Sequence, residues 1–233
     1  MRKILYCLLL TLVLISSITA QKTAPFVINS GVGGNNTKDL LARIDTDCIS
    51  YKPDLTVLMV GTNDMNSVKY IPLDQYKANL EKIIGILLKA KSKVLLTNIL
   101  PLYEPYLLTR HPKSFYAPEG PAGRLEAVNK VIAQVAKEKH VSFLDVNHIF
   151  ATIGDIGLDE SSYIRNMVNS KMTDGIHPTP DGYRAIAIAV YEKIINDNLP
   201  HERVVCFGDS ITKGDGSIDN KSYPAYLKKL LLN

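Results

Sequence analysis

The 233-residue chain carries 27 Lys and Arg against 23 Asp and Glu, a net charge of +4, and is 46% hydrophobic and 7% aromatic. That near balance gives no electrostatic reason to expect a nucleic-acid partner, and the composition is that of a globular domain rather than a disordered or fibrous chain. A structural zinc site is excluded as well, because Cys7, Cys48 and Cys206 form neither a CxxC pair nor a cluster with histidine.

The N-terminus reads as a targeting segment. Arg2 and Lys3 precede the apolar run ILYCLLLTLVLISS, and Ile18-Thr19-Ala20 before Gln21 offers a cleavage site. Residues 1–20 are therefore expected to be a secretory signal and residues 21–233 a single domain, secreted or periplasmic. The apolar run is shorter than the roughly 20 residues a spanning helix needs, so no stable membrane anchor is expected. Without Arg2 and Lys3 the count is 25 basic against 23 acidic residues, about +2. Cys48 and Cys206 remain. An exported protein can pair two cysteines, but Cys206 falls in an apolar strand pattern that favours a buried thiol.

From residue 25 short apolar runs alternate with longer helical patterns. PFVIN (25–29) is the first strand, followed by SGVGGNNT and a helix over 38–47. LTVLMV (55–60) is the second, followed by GTNDMNS and a helix over 73–91 that carries Leu80, Ile83, Ile84, Leu87 and Leu88 on one stripe. KVLLTNIL (93–100) is the third. After it, residues 101–123 hold five prolines together with Tyr103, Tyr106, Phe115 and Tyr116, a long connection of the kind that usually serves function. A helix over 121–139, a strand VSFLDV (141–146), a helix over 179–197, a strand RVVCF (203–207) and a helix over 222–232 complete the series. Continuous apolar strands are buried on both faces, and strand alternating with helix marks a parallel α/β sheet. In such sheets ligands bind beyond the carboxyl ends of the strands, where three of the loops are rich in Gly, Asn or Ser.

Those loops hold groups suited to acyl transfer, which needs a nucleophile, a base, a carboxylate to orient the base, and donors for the oxyanion. Ser210 follows the last strand in GDSITKGDG, although a plain strand-to-helix turn explains that stretch equally well. Asp174 and His177 stand together in TDGIHPTPDGY, on a turn that Pro178 and Pro180 stiffen. Helix capping beside an ordinary loop histidine is the bland alternative. Asn63 in GTND carries a carboxamide able to donate to an anion, or simply makes an Asn-Asp turn. Gly33 and Gly34 let backbone N–H groups approach a ligand. A dinucleotide fingerprint starting at Gly31 fails at its third glycine, where Asn36 stands.

Together FGDSIT (207–212), NSGVGGNNT (29–37), VGTNDM (60–65) and DGIHPTPDGY (174–183) resemble the four sequence blocks of the SGNH, or GDSL, esterase and lipase family. The resemblance implies a flavodoxin-like three-layer α/β/α sandwich on a five-stranded parallel sheet. It implies Ser210 as nucleophile, His177 as base and Asp174 as its orienting carboxylate, with Ser210 N–H, Gly34 N–H and Asn63 forming the oxyanion hole. No cofactor and no metal are implied. Two features depart from the family pattern. Asn35 and Asn36 follow the glycines where the family usually has aspartate and threonine, which leaves Gly33 open as an alternative to Gly34. The GDS block also comes last rather than first. Placing residues 203–233 ahead of about residue 22 restores the family order, so a circular permutation is expected, with the last strand inserted between the first and second.

The expected function is an exported serine esterase acting through an acyl-enzyme on a small-molecule or glycan ester, with acetyl groups on carbohydrate favoured. The alternatives are a lysophospholipase or thioesterase of the same family and a noncatalytic glycan- or lipid-binding module. A histidine base predicts a rate that falls with acidification. Asn35 and Asn220 each begin an N-x-Ser/Thr sequon. A glycan on Asn35 would obstruct the oxyanion hole, so a bacterial host is expected.

Overall fold

The computed structural model describes residues 26–215 and 222–232; the expected signal at 1–20 and the Asn220 sequon lie outside them. In chain order the elements are β1 (Phe26–Gly31), α1 (Thr37–Asp47), β2 (Leu55–Met59), α2 (Leu73–Lys89), β3 (Lys93–Thr97), α3 (Glu104–Leu107), α4 (Gly120–Glu138), β4 (Ser142–Leu144), α5 (Val146–Ile153), α6 (Pro180–Asn196), β5 (Arg203–Gly208), α7 (Ser210–Lys213) and α8 (Tyr223–Leu232).

The five strands form one parallel sheet in the order β1-β5-β2-β3-β4. Both faces are covered, which is why the strands read as unbroken apolar runs. In β5, Val205 and Phe207 enter one core with Leu40 and Ile44 of α1, Leu80 and Ile84 of α2 and Ile132 of α4. Val204 and Cys206 enter the other, with Phe150 of α5, Ile186 and Val190 of α6 and Leu227 of α8. The period of two along a strand sends alternate residues to opposite layers, and the result is the expected α/β/α sandwich. Cys48 and Cys206 lie in these different cores and are both free thiols, so no disulfide links them. Burial pushes the Cys48 thiol up to about 11, and that of Cys206 higher still.

The last strand inserts between the first and second, as the block order predicts. Counted from β5, the sheet reads 2-1-3-4-5, the flavodoxin-like order, and its switch point falls between β5 and β2. Gly208 at the end of β5 pairs with Met59 at the end of β2, so the loops carrying Ser210 and Asn63 leave the sheet side by side.

Three stretches differ from the sequence reading. β3 stops at Thr97 because Asn98 turns aside, its Nδ2 donating to Asp145 Oδ1 at 2.6 Å and its Oδ1 accepting from Asn147 N at 3.0 Å. β4 ends at Leu144 because Asp145 caps α5, accepting from His148 N at 2.8 Å. Val146, Ile149, Phe150 and Ile153 then recur at helical spacing, a pattern that reading 141–146 as strand conceals. The connection 101–123 is not a bare loop either: it holds α3, a 3₁₀ turn at Lys113–Tyr116 and the start of α4.

Candidate active site

The site forms where β5, β2 and β1 end and the turn before α6 rises to meet them. β5 leads through Asp209 into the four-residue α7, whose first residue is Ser210. Asp209 caps that helix, its Oδ1 accepting from Ile211 N at 2.9 Å. Helix-initial N–H groups have no intrahelical acceptor, so the Ser210 N–H faces the space outside the helix. The Ser210 hydroxyl meets His177 Nε2 at 2.9 Å.

His177 Nδ1 lies 2.9 Å from Asp174 Oδ2 and 3.0 Å from Oδ1. Asp174 Oδ1 also accepts from the backbone N–H of Ile176 at 3.0 Å and of His177 at 2.9 Å. The carboxylate is buried at 8% exposure. Burial raises its pKa, but hydrogen bonds from the His177 ring, the charge of that ring and the two backbone donors outweigh burial and bring it down to about 2. It is therefore ionised at neutral pH and can orient the imidazole.

The turn itself is held from two sides. Gly175 N donates to Arg165 O at 3.0 Å, and Arg165 N to His177 O at 2.9 Å. From the connection after β3, Tyr103 N donates to Gly175 O at 2.8 Å, and Arg110 donates to the Thr173 and Asp174 carbonyls at 3.1 and 2.6 Å. Gly175 sits at φ +71, and a Cβ there would come 2.8 Å from Tyr106 Cβ, so the close docking of α3 requires glycine. At the far end Thr179 caps α6, its Oγ1 accepting from Gly182 N at 3.2 Å. The proline-stiffened turn is thus as expected. Arg110 and Arg165 were not legible, because their bonds to it cross sequence gaps.

The donors complete the arrangement. Asn35 N donates to Val32 O at 3.3 Å, closing a turn with Gly34 at φ +76, as the third position of a type II turn demands. Neither the Gly33 nor the Gly34 N–H donates to another group among the described residues. A Cβ on Gly33 would lie 4.0 Å from Ser210 Cβ, so the turn faces the nucleophile. Asn63 Nδ2 donates to Asn35 O at 2.9 Å and lies 3.5 Å from Asp209 Oδ2. All five sequence-derived residues, Ser210, His177, Asp174, Gly34 and Asn63, therefore gather at the switch point.

Two further carboxyls stand beneath them. Burial, chiefly, pushes Asp209 up to about 7 and Asp64 up to about 6. Asp64 accepts the Thr37 hydroxyl at 2.6 Å and the Thr37 N–H at 3.0 Å, tying the start of α1 to the loop of Asn63. Both lie inside the four sequence blocks, but burial, which alone distinguishes them from surface aspartates, leaves no mark in sequence. Among the described residues there is no group of three His, Cys, Asp or Glu able to hold a metal ion.

A serine hydroxyl on an imidazole oriented by a buried carboxylate, with free N–H donors beside it at the switch point of a parallel sheet, defines a serine-type hydrolase. Residues 13–185 match the model of the GDSL-like lipase/acylhydrolase family. The chain belongs to that family and is a serine carboxylic ester hydrolase. The match ends before β5, so Ser210 lies beyond it. An acetylxylan esterase of Geobacillus stearothermophilus is 25% identical over 178 residues, 72% of this chain and 71% of that protein. The uncharacterized lipoprotein YqeF of Bacillus subtilis (strain 168) is 26% identical over 182 residues, 72% and 73% of the two chains. Solved structures share the fold. A catalytic mutant of the Geobacillus acetylxylan esterase superposes with a TM-score of 0.56 at 23% identity, covering 72% of this chain and 71% of that one. A lipase/acylhydrolase from Enterococcus faecalis gives 0.54 at 21%, covering 72% and 74%.

Proposed function

We propose that this hydrolase is exported and removes short acyl groups, acetyl foremost, from carbohydrate, with Ser210 as nucleophile. The observation that carries the reading is the bond from Ser210 Oγ to His177 Nε2, with Nδ1 of the same ring on Asp174. His177 takes the hydroxyl proton as Ser210 Oγ attacks the ester carbonyl carbon. The oxyanion receives hydrogen bonds from Ser210 N–H, Gly34 N–H and Asn63 Nδ2. His177 then protonates the departing alcohol oxygen, leaving acyl-Ser210. Water deprotonated by His177 attacks that ester, and the carboxylate product leaves as the proton returns to Ser210.

Two cavities lie close to the site. A pocket of about 10 Å³ is lined by Thr62, Met65, Ile99, Leu100, Ile176 and Ile211, three of them chain neighbours of Asn63, His177 and Ser210. An open groove of about 330 Å³ over Arg110, Met167, Lys171 and Met172 is bounded by Thr173 and Asp174 of the catalytic turn. Acetyl on carbohydrate as substrate is supported by the name of the Geobacillus relative, an acetylxylan esterase. Turnover of p-nitrophenyl esters is expected to fall steeply from acetate to decanoate. Equal kcat/KM across the series would remove the acetyl reading.

Export rests on the basic and apolar pattern of residues 1–20. No helix among the described residues is long and apolar enough to cross a membrane. An intact mass beginning at Gln21 for the protein recovered outside the cytoplasm checks the cleavage; retention of residues 1–20 counts against it. The circular permutation is supported by the order 2-1-3-4-5 counted from β5 and by α8 lying against β1. A chain reordered to carry residues 203–233 ahead of residues 22–202 is expected to fold and to keep its turnover of p-nitrophenyl acetate. Failure of that chain to fold, under a linker long enough to span the junction, counts against the permutation.

A further inference from the structure

The helix that follows the oxyanion turn carries an arginine that the reaction scheme leaves unused. Arg43 lies on α1 with its side chain only 14% exposed. Its Nε donates to Asn35 Oδ1 at 2.6 Å. One terminal nitrogen donates to Ser30 O at 3.0 Å and to Asp47 Oδ2 at 3.1 Å, the other to Gly208 O at 2.7 Å. The guanidinium rests 4.5 Å from the centroid of the Phe207 ring, and Asp47 answers its charge.

These acceptors are not scattered. Ser30 is the last residue but one of β1 and Gly208 the last of β5, near the points where one strand departs toward Gly33 and Gly34 and the other toward Asp209 and Ser210. Asn35 ends the glycine turn, and its carbonyl receives Asn63 Nδ2. One planar fork thus grips the strand that delivers the nucleophile, the strand that delivers the glycines and the residue that orients the carboxamide. A lysine, a point charge on a flexible stem, cannot hold three divergent acceptors in one plane.

We infer that Arg43 is a positioning residue for the oxyanion hole, holding the ends of β1 and β5 and Asn35 in one register so that the three donors converge on the reacting oxygen. This rests on the roles proposed above for Gly34, Asn63 and Ser210.

The test uses the mature protein and p-nitrophenyl acetate. Arg43→Ala is expected to lower kcat by about 100-fold, the scale on which a misplacement near 1 Å slows a reaction, with KM little changed. Arg43→Lys does not restore the rate. Guanidinium ion at tens of millimolar restores part of it to Arg43→Ala and none to wild type or Ser210→Ala, a recovery that loss of packing alone does not show. Asn35→Ala, which leaves the helix and its core intact, is expected to lose roughly tenfold in kcat for the one hydrogen bond removed, while Asn35→Asp keeps the wild-type rate. A folded Arg43→Ala with wild-type kcat overturns the inference. So does a loss that guanidinium leaves untouched while Asn35→Ala turns over as wild type does. Should Arg43→Ala not fold, the Asn35 pair decides alone: loss in Asn35→Ala with retention in Asn35→Asp sustains the inference, and equality of both with wild type ends it. A fully active Ser210→Ala is a different failure, that of the site reading itself.

Discussion

Ser210→Ala is expected to reduce kcat on the order of a million-fold while leaving a folded protein. The side chain makes one hydrogen bond, to His177 Nε2 at 2.9 Å, and loss of one such bond costs about 1 kcal/mol. The backbone of α7 is unaffected, since its cap comes from Asp209 and not from Ser210. Chemistry and stability therefore separate cleanly at this position. Initial rates with p-nitrophenyl acetate, read beside a thermal unfolding midpoint and labelling by a fluorophosphonate, check both halves. A variant that keeps even a tenth of the wild-type rate removes Ser210 from the mechanism.

Asp174→Asn is the second large effect, a fall in kcat of about 10⁴-fold with KM nearly unchanged. Its Oδ1 can go on accepting from Ile176 N and His177 N, so the turn keeps its shape. The amide nitrogen then replaces the carboxylate oxygen 2.9 Å from His177 Nδ1. Donor faces donor unless the ring moves its proton to Nε2, and an Nε2–H cannot accept from Ser210. The wild-type carboxylate is insensitive to ordinary acidification. Its folded pKa of about 2 lies below the ordinary aspartate value of 3.8, so the stability it contributes is complete above about pH 4 and is lost as pH falls through about 2. A decline in rate between pH 8 and pH 5 thus belongs to another group. A kcat within tenfold of wild type for Asp174→Asn takes the orienting role away from this residue.

The layers and the strand count were legible in sequence because each leaves a local mark, and the resemblance of the four blocks to the family pointed to the five residues that the fold brings together. Val204 through Phe207 read as buried on both faces, and Pro178 and Pro180 beside His177 read as a stiffened turn. Even the position of β5 in the sheet followed, from the order of the four blocks. What failed to show was contact across distance. Arg43 to Gly208 spans 165 residues and Arg110 to Asp174 spans 64, and a lone arginine in a helical or loop segment looks the same whether it faces water or three carbonyls. The helix α5 was missed for another reason. Its apolar residues directly follow a short strand, and two periods overlapping over a few residues cannot be told apart without the cap at Asp145.

The central place of β5 also bears on when this protein becomes an enzyme. Its partners β1 and β2 are made far earlier, and until residues 203–208 leave the ribosome each of them presents an open edge to the gap between them. A β1–β2 pairing that closed this gap would shut the nucleophile out, so native assembly must wait while the chain grows. A chain that lacks β5 cannot finish its sheet, and it gains its serine, and with it the capacity to cut esters, only once residues 203–210 have been made.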